Sequence, residues 1–139
     1  MVPPPDGHRL LKRLLLVDDE PELLDILCEH FQRRYELSTA LDGAVALERF
    51  EHEAPDAVFM DVNMPGASGV EILKRFRQSD PGVPVIMMTA NEQVAVAEEC
   101  LKSGAFAYVP KPFKLAYMDH MAALAVDWRL RRAAHRRPA

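Results

Sequence analysis

The stretch LLLVDDEPELLDIL, residues 14–27, decides how the rest of the chain is interpreted. Its first four residues are all apolar, which is typical of a strand buried on both faces of a parallel sheet. Two aspartates follow at once, and Pro21 then suits the first turn of a helix whose apolar residues recur at helical spacing. The stretch therefore predicts a strand, an acidic turn and a helix, the repeating unit of an α/β fold.

The same alternation recurs along the chain. Amphipathic stretches with helix start and stop signals separate short apolar runs; Asp42 and Ser68 are placed to cap helices, and Gly104 follows one. The order is (βα)5, which predicts an α/β fold with a doubly wound, five-stranded parallel sheet and helices on both faces. The second strand is mixed in character and the fifth is short, so both are predicted edges. The predicted strands are 14–17, 35–40, 57–60, 83–88 and 106–109, and the last helix is expected from Leu115 to about Arg132.

Composition excludes several classes of protein. With 139 residues, 49% hydrophobic and 27% charged, the chain has the size and balance of one globular domain and not of a disordered chain. No apolar run approaches the ~20 residues that span a bilayer. Only two cysteines occur, both in predicted helices, so a reducing cytoplasm is expected. Residues 1–9 are expected to form a disordered leader. A net charge of −4 argues against nucleic-acid binding through charge alone.

Polar residues stand at the carboxyl ends of four predicted strands. Asp18 and Asp19 follow the first strand, Asp61 the third and Thr89 the fourth, while Lys111 comes just after the fifth. In open parallel sheets the ligand crevice lies beyond the carboxyl ends of the strands, so these side chains are expected to converge. Each has an ordinary structural explanation by itself, as a helix cap, a turn or a strand end. Their recurrence at matching ends of four strands favours a functional site.

The charges of this set limit its chemistry. Two carboxylates ~4 Å apart repel by about 4 kcal/mol at an effective dielectric near 20. Three carboxylates and one lysine therefore favour either a raised carboxyl pKa or a hard divalent cation with oxygen ligands. Asp19, Asp61 and a backbone carbonyl would leave positions for water, which suits Mg²⁺ better than Ca²⁺. A carboxylate beside Mg²⁺, a lysine and a threonine is equipped to accept a phosphoryl group as an aspartyl phosphate.

Four motifs in combination carry a family resemblance: LLLVDDEP at 14–21, VFMDVNMPGASGVEIL at 58–73, VIMMTA at 85–90 and GAFAYVPKPF at 104–113. Together they resemble the receiver domain of two-component response regulators, the family that includes chemotaxis regulators. The resemblance covers residues 10 to about 125. It implies a flavodoxin-like sheet with strand order 2-1-3-4-5. The receiver domain is accordingly expected at 10–126, followed by a basic helix extension or linker at 127–139.

At matching positions the resemblance implies specific roles in catalysis and metal binding. Asp61 would be the phosphoacceptor, and Lys111 would pair with the phosphoryl oxygens. Asp19 would bind Mg²⁺ directly and Asp18 mainly through water, with Asp61 and the backbone carbonyl of Asn63 as further ligands.

Four further expectations come from the same resemblance. Thr89 would be the switch hydroxyl, and Tyr108 the aromatic residue that turns inward behind it. The bond from Lys111 to Pro112 is expected to be cis. Asn63 lies two residues beyond Asp61, and Asn91 lies two residues beyond Thr89. Both would influence the lifetime of the phosphoryl group.

The implied function is that of a signalling module and not of an enzyme beyond self-catalysed phosphotransfer and slow autodephosphorylation. A sensor histidine kinase or a phosphotransfer protein would donate the phosphoryl group from a phosphohistidine to Asp61. The face made by the fourth helix, fifth strand and fifth helix would then switch and control an output domain or target outside these 139 residues. A homodimer through that face is a further expectation, in a bacterial cytoplasm and without contact with a membrane.

Two other classes of function compete with this interpretation. A phosphatase or phosphotransferase of the haloacid dehalogenase type also uses an aspartyl phosphate, but typically within a DxD motif on the first strand. Here the acceptor follows the third strand and position 63 is Asn, which leaves no general acid. A nucleotide-binding flavodoxin-like module is weakly supported, because neither GxxxxGK[ST] nor GxGxxG follows any predicted strand.

The run DWRLRRAAHRR at 127–137 has three open explanations. A basic last turn complements the helix dipole. The run would also suit a linker helix toward an output domain. Direct binding of nucleic acid is the third and least favoured explanation, because the chain as a whole is acidic.

Overall fold

The computed structural model describes residues 11–90 and 94–136, in which five strands alternate with five helices. The five strands are parallel neighbours in the order β2-β1-β3-β4-β5, so the predicted fold class and strand order are confirmed. The elements are β1 (Lys12–Val17), α1 (Pro21–Phe31), β2 (Tyr35–Ala40), α2 (Gly43–Glu53), β3 (Ala57–Asp61), α3 (Gly69–Ser79), β4 (Val85–Ala90), α4 (Val94–Lys102), β5 (Ala107–Lys111) and α5 (Leu115–Arg136).

The sheet is covered on both faces. Helices α1 and α5 share one apolar cluster, in which Phe31 and Met118 are fully buried. Helices α2, α3 and α4 share the other, where the Phe50 and Phe76 rings stack with centroids 4.3 Å apart. The central strand β3 is buried along its whole length. This arrangement follows from right-handed crossovers on either side of β1, and it leaves the carboxyl edge of the sheet for polar groups.

Two predicted strands are displaced at both ends, in each case toward the C-terminus. The fourth strand was expected at 83–88 but spans Val85–Ala90, and the fifth was expected at 106–109 but spans Ala107–Lys111. Pro84 has no backbone N–H to donate and precedes the strand. At the other end, Thr89 and Ala90 pair with Pro110 and Lys111, so both strands continue into the polar residues that follow the apolar runs. The two predicted edge strands are confirmed.

Helix α5 continues beyond the residues that pack against the sheet. Arg129 donates from both terminal nitrogens to the carboxylate of Asp80, at 3.0 and 2.6 Å, and thereby joins α5 to the end of α3. The Trp128 ring lies against Phe106, with centroids 5.5 Å apart, and Arg132 stacks on the indole at 5.1 Å. The expected boundary at residue 126 thus falls inside one continuous helix.

Within the described residues, no helix combines the length and apolar character needed to cross a membrane. The predicted leader at 1–9 and the predicted lifetime residue Asn91 lie outside the described residues.

Candidate phosphoacceptor and metal site

Three aspartates meet at the carboxyl edge of the sheet. Asp18 and Asp19 follow β1 directly, and Asp61 is the last residue of the neighbouring strand β3. One carboxylate oxygen from each lies within 4.8 Å of the others. Lys111 is the last residue of β5, and its ammonium reaches the same cluster from the far side of β4. The structure thus brings together the acids and the lysine that the sequence predicts to converge.

Asp18 is the most deeply placed acid of the site. It is 0% exposed, and its Oδ2 accepts a hydrogen bond of 2.8 Å from the Lys111 ammonium. Its Oδ1 accepts a second one, of 2.9 Å, from the backbone N–H of Glu20. A buried carboxylate needs such partners, because an unpaired charge in this position would be very costly. Asp18 is therefore held firmly, with one oxygen used to shape the turn into α1.

Asp61 lies in a less compensated environment. It is 7% exposed, and its Oδ2 is 3.5 Å from the Lys111 ammonium. Its Oδ1 accepts only a long hydrogen bond, 3.3 Å, from the backbone N–H of Asn63. Burial raises the pKa of Asp61 from 3.8 to about 6; Lys111 opposes the rise, while the charges of Asp18 and Asp19 add to it. The carboxylate is consequently destabilised as an anion and favours a nearby positive charge.

Lys111 is shared among three acids. Its ammonium lies 2.8 Å from Asp18, 3.5 Å from Asp61 and 3.5 Å from Glu20. Desolvation acts to lower its pKa, but the hydrogen bond that Lys111 donates to Asp18 and the charges of these acids outweigh it and raise the pKa. Lys111 therefore remains a cation. One ammonium cannot neutralise Asp18, Asp19 and Asp61 together.

The loop between β3 and α3, residues 62–68, is fixed by close packing behind Asp61. Ser68 caps α3 by accepting a hydrogen bond from the Glu71 N–H at 3.2 Å. The next residue, Gly69, donates its N–H to the Val62 carbonyl at 3.0 Å. A Cβ at this glycine would lie 2.7 Å from the Val62 oxygen and 2.9 Å from the Asp61 carbonyl oxygen, closer than non-bonded atoms tolerate. Only glycine lets α3 approach the end of β3 this closely.

The predicted switch residues occupy the neighbouring strands. Thr89 is 1% exposed on β4, and its hydroxyl donates to the Ala90 carbonyl at 3.0 Å. Tyr108 lies on β5 opposite Met87 and is 37% exposed. The peptide bond between Lys111 and the following proline is cis.

Sequence reasoning did not single out two residues of this region, Glu20 and Gly69. The position of Glu20 beside the aspartate pair was a usable signal, but its contact with Lys111 depends on how β5 ends. The sequence also shows a glycine, Gly69, directly after the predicted helix cap Ser68. The close approach that requires it is a property of three-dimensional packing.

The donor set fits a hard divalent cation. Three carboxylates lie close enough to share one ion, two of them are buried, and burial raises the pKa of Asp61 even though Lys111 lies nearby. Oxygen ligands, together with one exposed acid at the mouth, suit Mg²⁺ with part of its water shell retained. No imidazole or thiolate belongs to this cluster, so its chemistry differs from that of zinc sites.

Comparison with known proteins agrees with this geometry. The family model described as the response regulator receiver domain matches residues 14–123. The regulatory protein AtoC of Escherichia coli is 42% identical over 118 residues, which cover 84% of this chain and 26% of AtoC. Sporulation initiation phosphotransferase F of Bacillus subtilis is 35% identical over 105 residues, which cover 75% of this chain and 85% of that protein.

Solved structures show the same fold. A response regulator receiver domain protein from Clostridium thermocellum has a TM-score of 0.81 at 28% identity, covering 84% of this chain and 95% of that one. A CheY-like receiver domain protein from Methanospirillum hungatei has a TM-score of 0.83 at 27% identity, covering 88% and 98%.

The chain spans less than half of the length of several curated transcriptional regulators that it matches. The match to the family model, in contrast, extends over most of the chain and includes every strand-end residue described above. This chain belongs to the family of response regulator receiver domains of two-component systems.

Proposed function

We propose that this chain accepts a phosphoryl group on Asp61 and relays its phosphorylation state to an output outside the chain. The observation that carries the proposal is the position of Asp61: it is a nearly buried carboxylate at a strand end, with two other aspartates and one lysine around it. Receiver domains are signalling modules that work with histidine kinases and output domains. The phosphodonor is accordingly a phosphohistidine of a sensor kinase or a phosphotransfer protein.

In the transfer step, a carboxylate oxygen of Asp61 attacks phosphorus in line with the phosphorus–nitrogen bond of phosphohistidine. That bond breaks, and the imidazole leaves with the electron pair. Lys111 already lies 3.5 Å from Asp61, so it is placed to pair with the phosphoryl oxygens once they arrive. The ammonium carries three N–H donors, of which one is used in the shorter contact with Asp18.

The metal ligands in this proposal are Asp18, Asp19, Asp61 and the backbone carbonyl of Asn63. Bound Mg²⁺ would supply positive charge to the phosphoryl oxygens during transfer. Asp18 is held by its hydrogen bond from the Glu20 N–H, which keeps its carboxylate directed into the cluster. Asp19 is exposed and leaves the mouth of the site open to water and to the donor.

The conformational response involves Thr89 and Tyr108. The Thr89 hydroxyl has only the adjacent Ala90 carbonyl as partner among the hydrogen bonds described for it, and a phosphoryl dianion is a stronger acceptor. Movement of Thr89 toward the phosphoryl group would vacate space that the exposed Tyr108 ring could fill. Phosphorylation is then a local change of charge that biases a two-state element. Asn63 and Asn91 remain the proposed determinants of the lifetime of the acyl phosphate.

The surface that would change is the face formed by α4, β5 and α5. The exposed large apolar or aromatic side chains of these three elements are Val94, Leu101, Tyr108, Tyr117, Leu124 and Leu130. This composition supports a contact with an output domain, a target protein or a second copy in a homodimer. Sedimentation with and without beryllofluoride, a phosphoryl mimic, tests the dimer.

The central test is phosphorylation with acetyl phosphate and Mg²⁺, read by Phos-tag electrophoresis and by the mass of the labelled peptide. The wild type is expected to shift and Asp61→Asn to remain unshifted. Asp25→Asn, a matched change at an exposed site in α1, is expected to shift like the wild type. A shifted Asp61→Asn variant would show that the acceptor is another residue. Turnover of p-nitrophenyl phosphate at ordinary enzyme rates would instead support a phosphatase.

A further inference from the structure

The side chain of Glu20 makes a contact that the transfer mechanism does not use. Glu20 is the N-cap residue of α1, yet its side chain makes no capping hydrogen bond. Its backbone carbonyl instead accepts from the N–H groups of Leu23 and Leu24, each at 3.2 Å. The carboxylate extends to Lys111, with Oε2 3.5 Å from the ammonium. The side chain is therefore available to act on the site.

Through this contact, the Glu20 carboxylate competes with the Asp61 carboxylate for the Lys111 ammonium. The Glu20 and Asp61 carboxylates are equally distant from the Lys111 ammonium, at 3.5 Å each. Glu20 is 61% exposed at the mouth of the cluster, whereas Asp61 is nearly buried. An incoming phosphoryl group must draw the ammonium toward Asp61. Each carboxylate that attracts the ammonium elsewhere opposes that movement, and a fourth negative charge also repels an anionic donor.

We propose that Glu20 is a positioning residue whose carboxylate competes with Asp61 for the Lys111 ammonium and thereby slows phosphorylation of Asp61 by small anionic donors. The inference rests on the proposed function of Asp61 as acceptor. Because the Glu20 side chain is exposed, water and salt screen its contact with the lysine, so the effect is a few-fold change in rate and not an on–off switch.

The experiment measures the rate constant of phosphorylation by acetyl phosphate at saturating Mg²⁺ for three variants beside the wild type. Glu20→Gln removes the charge and keeps the size, and Glu20→Asp keeps the charge but shortens the reach toward Lys111. Glu22→Gln removes the same charge from the same first turn of α1, at an exposed position. Both Glu20 variants are expected to react about three to five times faster at low ionic strength, the scale of an exposed ion pair, and Glu22→Gln at the wild-type rate. The advantage of Glu20→Gln is expected to shrink in ~0.5 M salt, because salt screens an exposed ion pair.

A second readout needs no phosphodonor. The ammonium signal of Lys111 in proton–nitrogen spectra is expected to change in both Glu20 variants and to stay unchanged in Glu22→Gln. An unchanged signal in Glu20→Gln would overturn the proposed contact whatever the rates are.

The rates separate the inference from the function on which it rests. If Glu20→Gln is no faster than the wild type, or if Glu22→Gln is equally accelerated, the positioning role is wrong while Asp61 remains the acceptor. A Glu20→Asp variant that reacts at the wild-type rate would show that charge alone matters and would likewise overturn the role of the contact. If wild-type Asp61 acquires no phosphoryl group, the proposed function fails, and the inference fails with it.

Discussion

Replacing Asp61 with asparagine is expected to make the chain more stable at neutral pH when no divalent cation is present. The carboxylate is 7% exposed, its hydrogen bond to the Asn63 N–H is long, and two other aspartates share its cluster. Asparagine has nearly the same shape and no charge. The variant therefore removes an electrostatic cost without opening a cavity.

The magnitude follows from the pKa of Asp61. In the folded chain that pKa is raised from 3.8 to about 6, mainly by burial, so ionisation costs more in the folded state than in the unfolded one. At about 1.4 kcal/mol for each pKa unit, the free energy of unfolding of Asp61→Asn should exceed that of the wild type by about 3 kcal/mol above pH 7.

The pH dependence has a definite sign. Between about pH 4 and about pH 6, the Asp61 carboxyl is more protonated in the folded chain than in the unfolded chain. The free energy of unfolding of the wild type therefore falls as the pH rises through this window. Below the unfolded pKa the carboxyl is neutral in both states and the cost is absent. The difference between variant and wild type is therefore expected to be small near pH 4, to grow toward pH 6 and to be constant above it.

Urea denaturation, followed by circular dichroism in the presence of a chelator, measures the free energy of unfolding of both proteins across this range. Asp25→Asn is the matched control, since it is the same substitution at an exposed site, and it is expected to follow the wild type. Added Mg²⁺ should stabilise the wild type more than Asp61→Asn, because ligands that bind only the folded state raise its stability. A variant no more stable than the wild type at pH 7.5, or a difference independent of pH, would refute the electrostatic account.

Three further substitutions probe one contact at the site and two elsewhere in the fold. Gly69→Ala is expected to lower the free energy of unfolding by about 2 kcal/mol and to slow phosphorylation, since its Cβ would displace the backbone at the acceptor; thermal melts and phosphorylation rates measure both effects. Arg129→Ala, which removes the two hydrogen bonds to Asp80, should cost about 1 kcal/mol in urea denaturation without changing the phosphorylation rate. Asp119→Asn should destabilise the chain at pH 7 and do so progressively less as the pH falls below 3.8, measured by urea denaturation. Desolvation acts to raise the pKa of this carboxyl, but its hydrogen bonds with Arg34 and His30 outweigh that effect and lower the pKa, so its stabilisation is lost as the pH falls through the lowered value.

The fold was accessible from sequence because its signals are local and repeated. Buried parallel strands produce nearly continuous apolar runs, and capping residues such as Asp42 and Ser68 mark where helices begin; both side chains accept the expected hydrogen bonds. The ends of β4 and β5 were misplaced because the ladder continues through residues that are not apolar. Thr89 lies inside a strand, since backbone pairing with β5 does not depend on side-chain polarity.

The site was accessible in part. The strand-end rule identified the acids and the lysine without any knowledge of distances, because parallel strands place their carboxyl ends at one edge. The rule cannot give the partner of each charge. That Lys111 donates to Asp18 at 2.8 Å, and reaches Asp61 and Glu20 only at 3.5 Å, depends on where β5 ends and on side-chain conformations. The docking of Arg129 on Asp80 likewise joins residues 49 positions apart, which no local pattern predicts.

The unequal distances at Lys111 connect stability with function. If the ammonium paired most closely with Asp61, this carboxylate would be more stable as an anion, and its pKa would be raised less. The closer pair with Asp18 instead anchors the lysine in the cluster while leaving the acceptor carboxylate under-compensated. An under-compensated carboxylate costs folding energy, and the same deficit of positive charge makes binding of a cation favourable. The cost in stability and the readiness of the site for Mg²⁺ thus share two physical causes, the burial of Asp61 and the placement of a single ammonium among four acids.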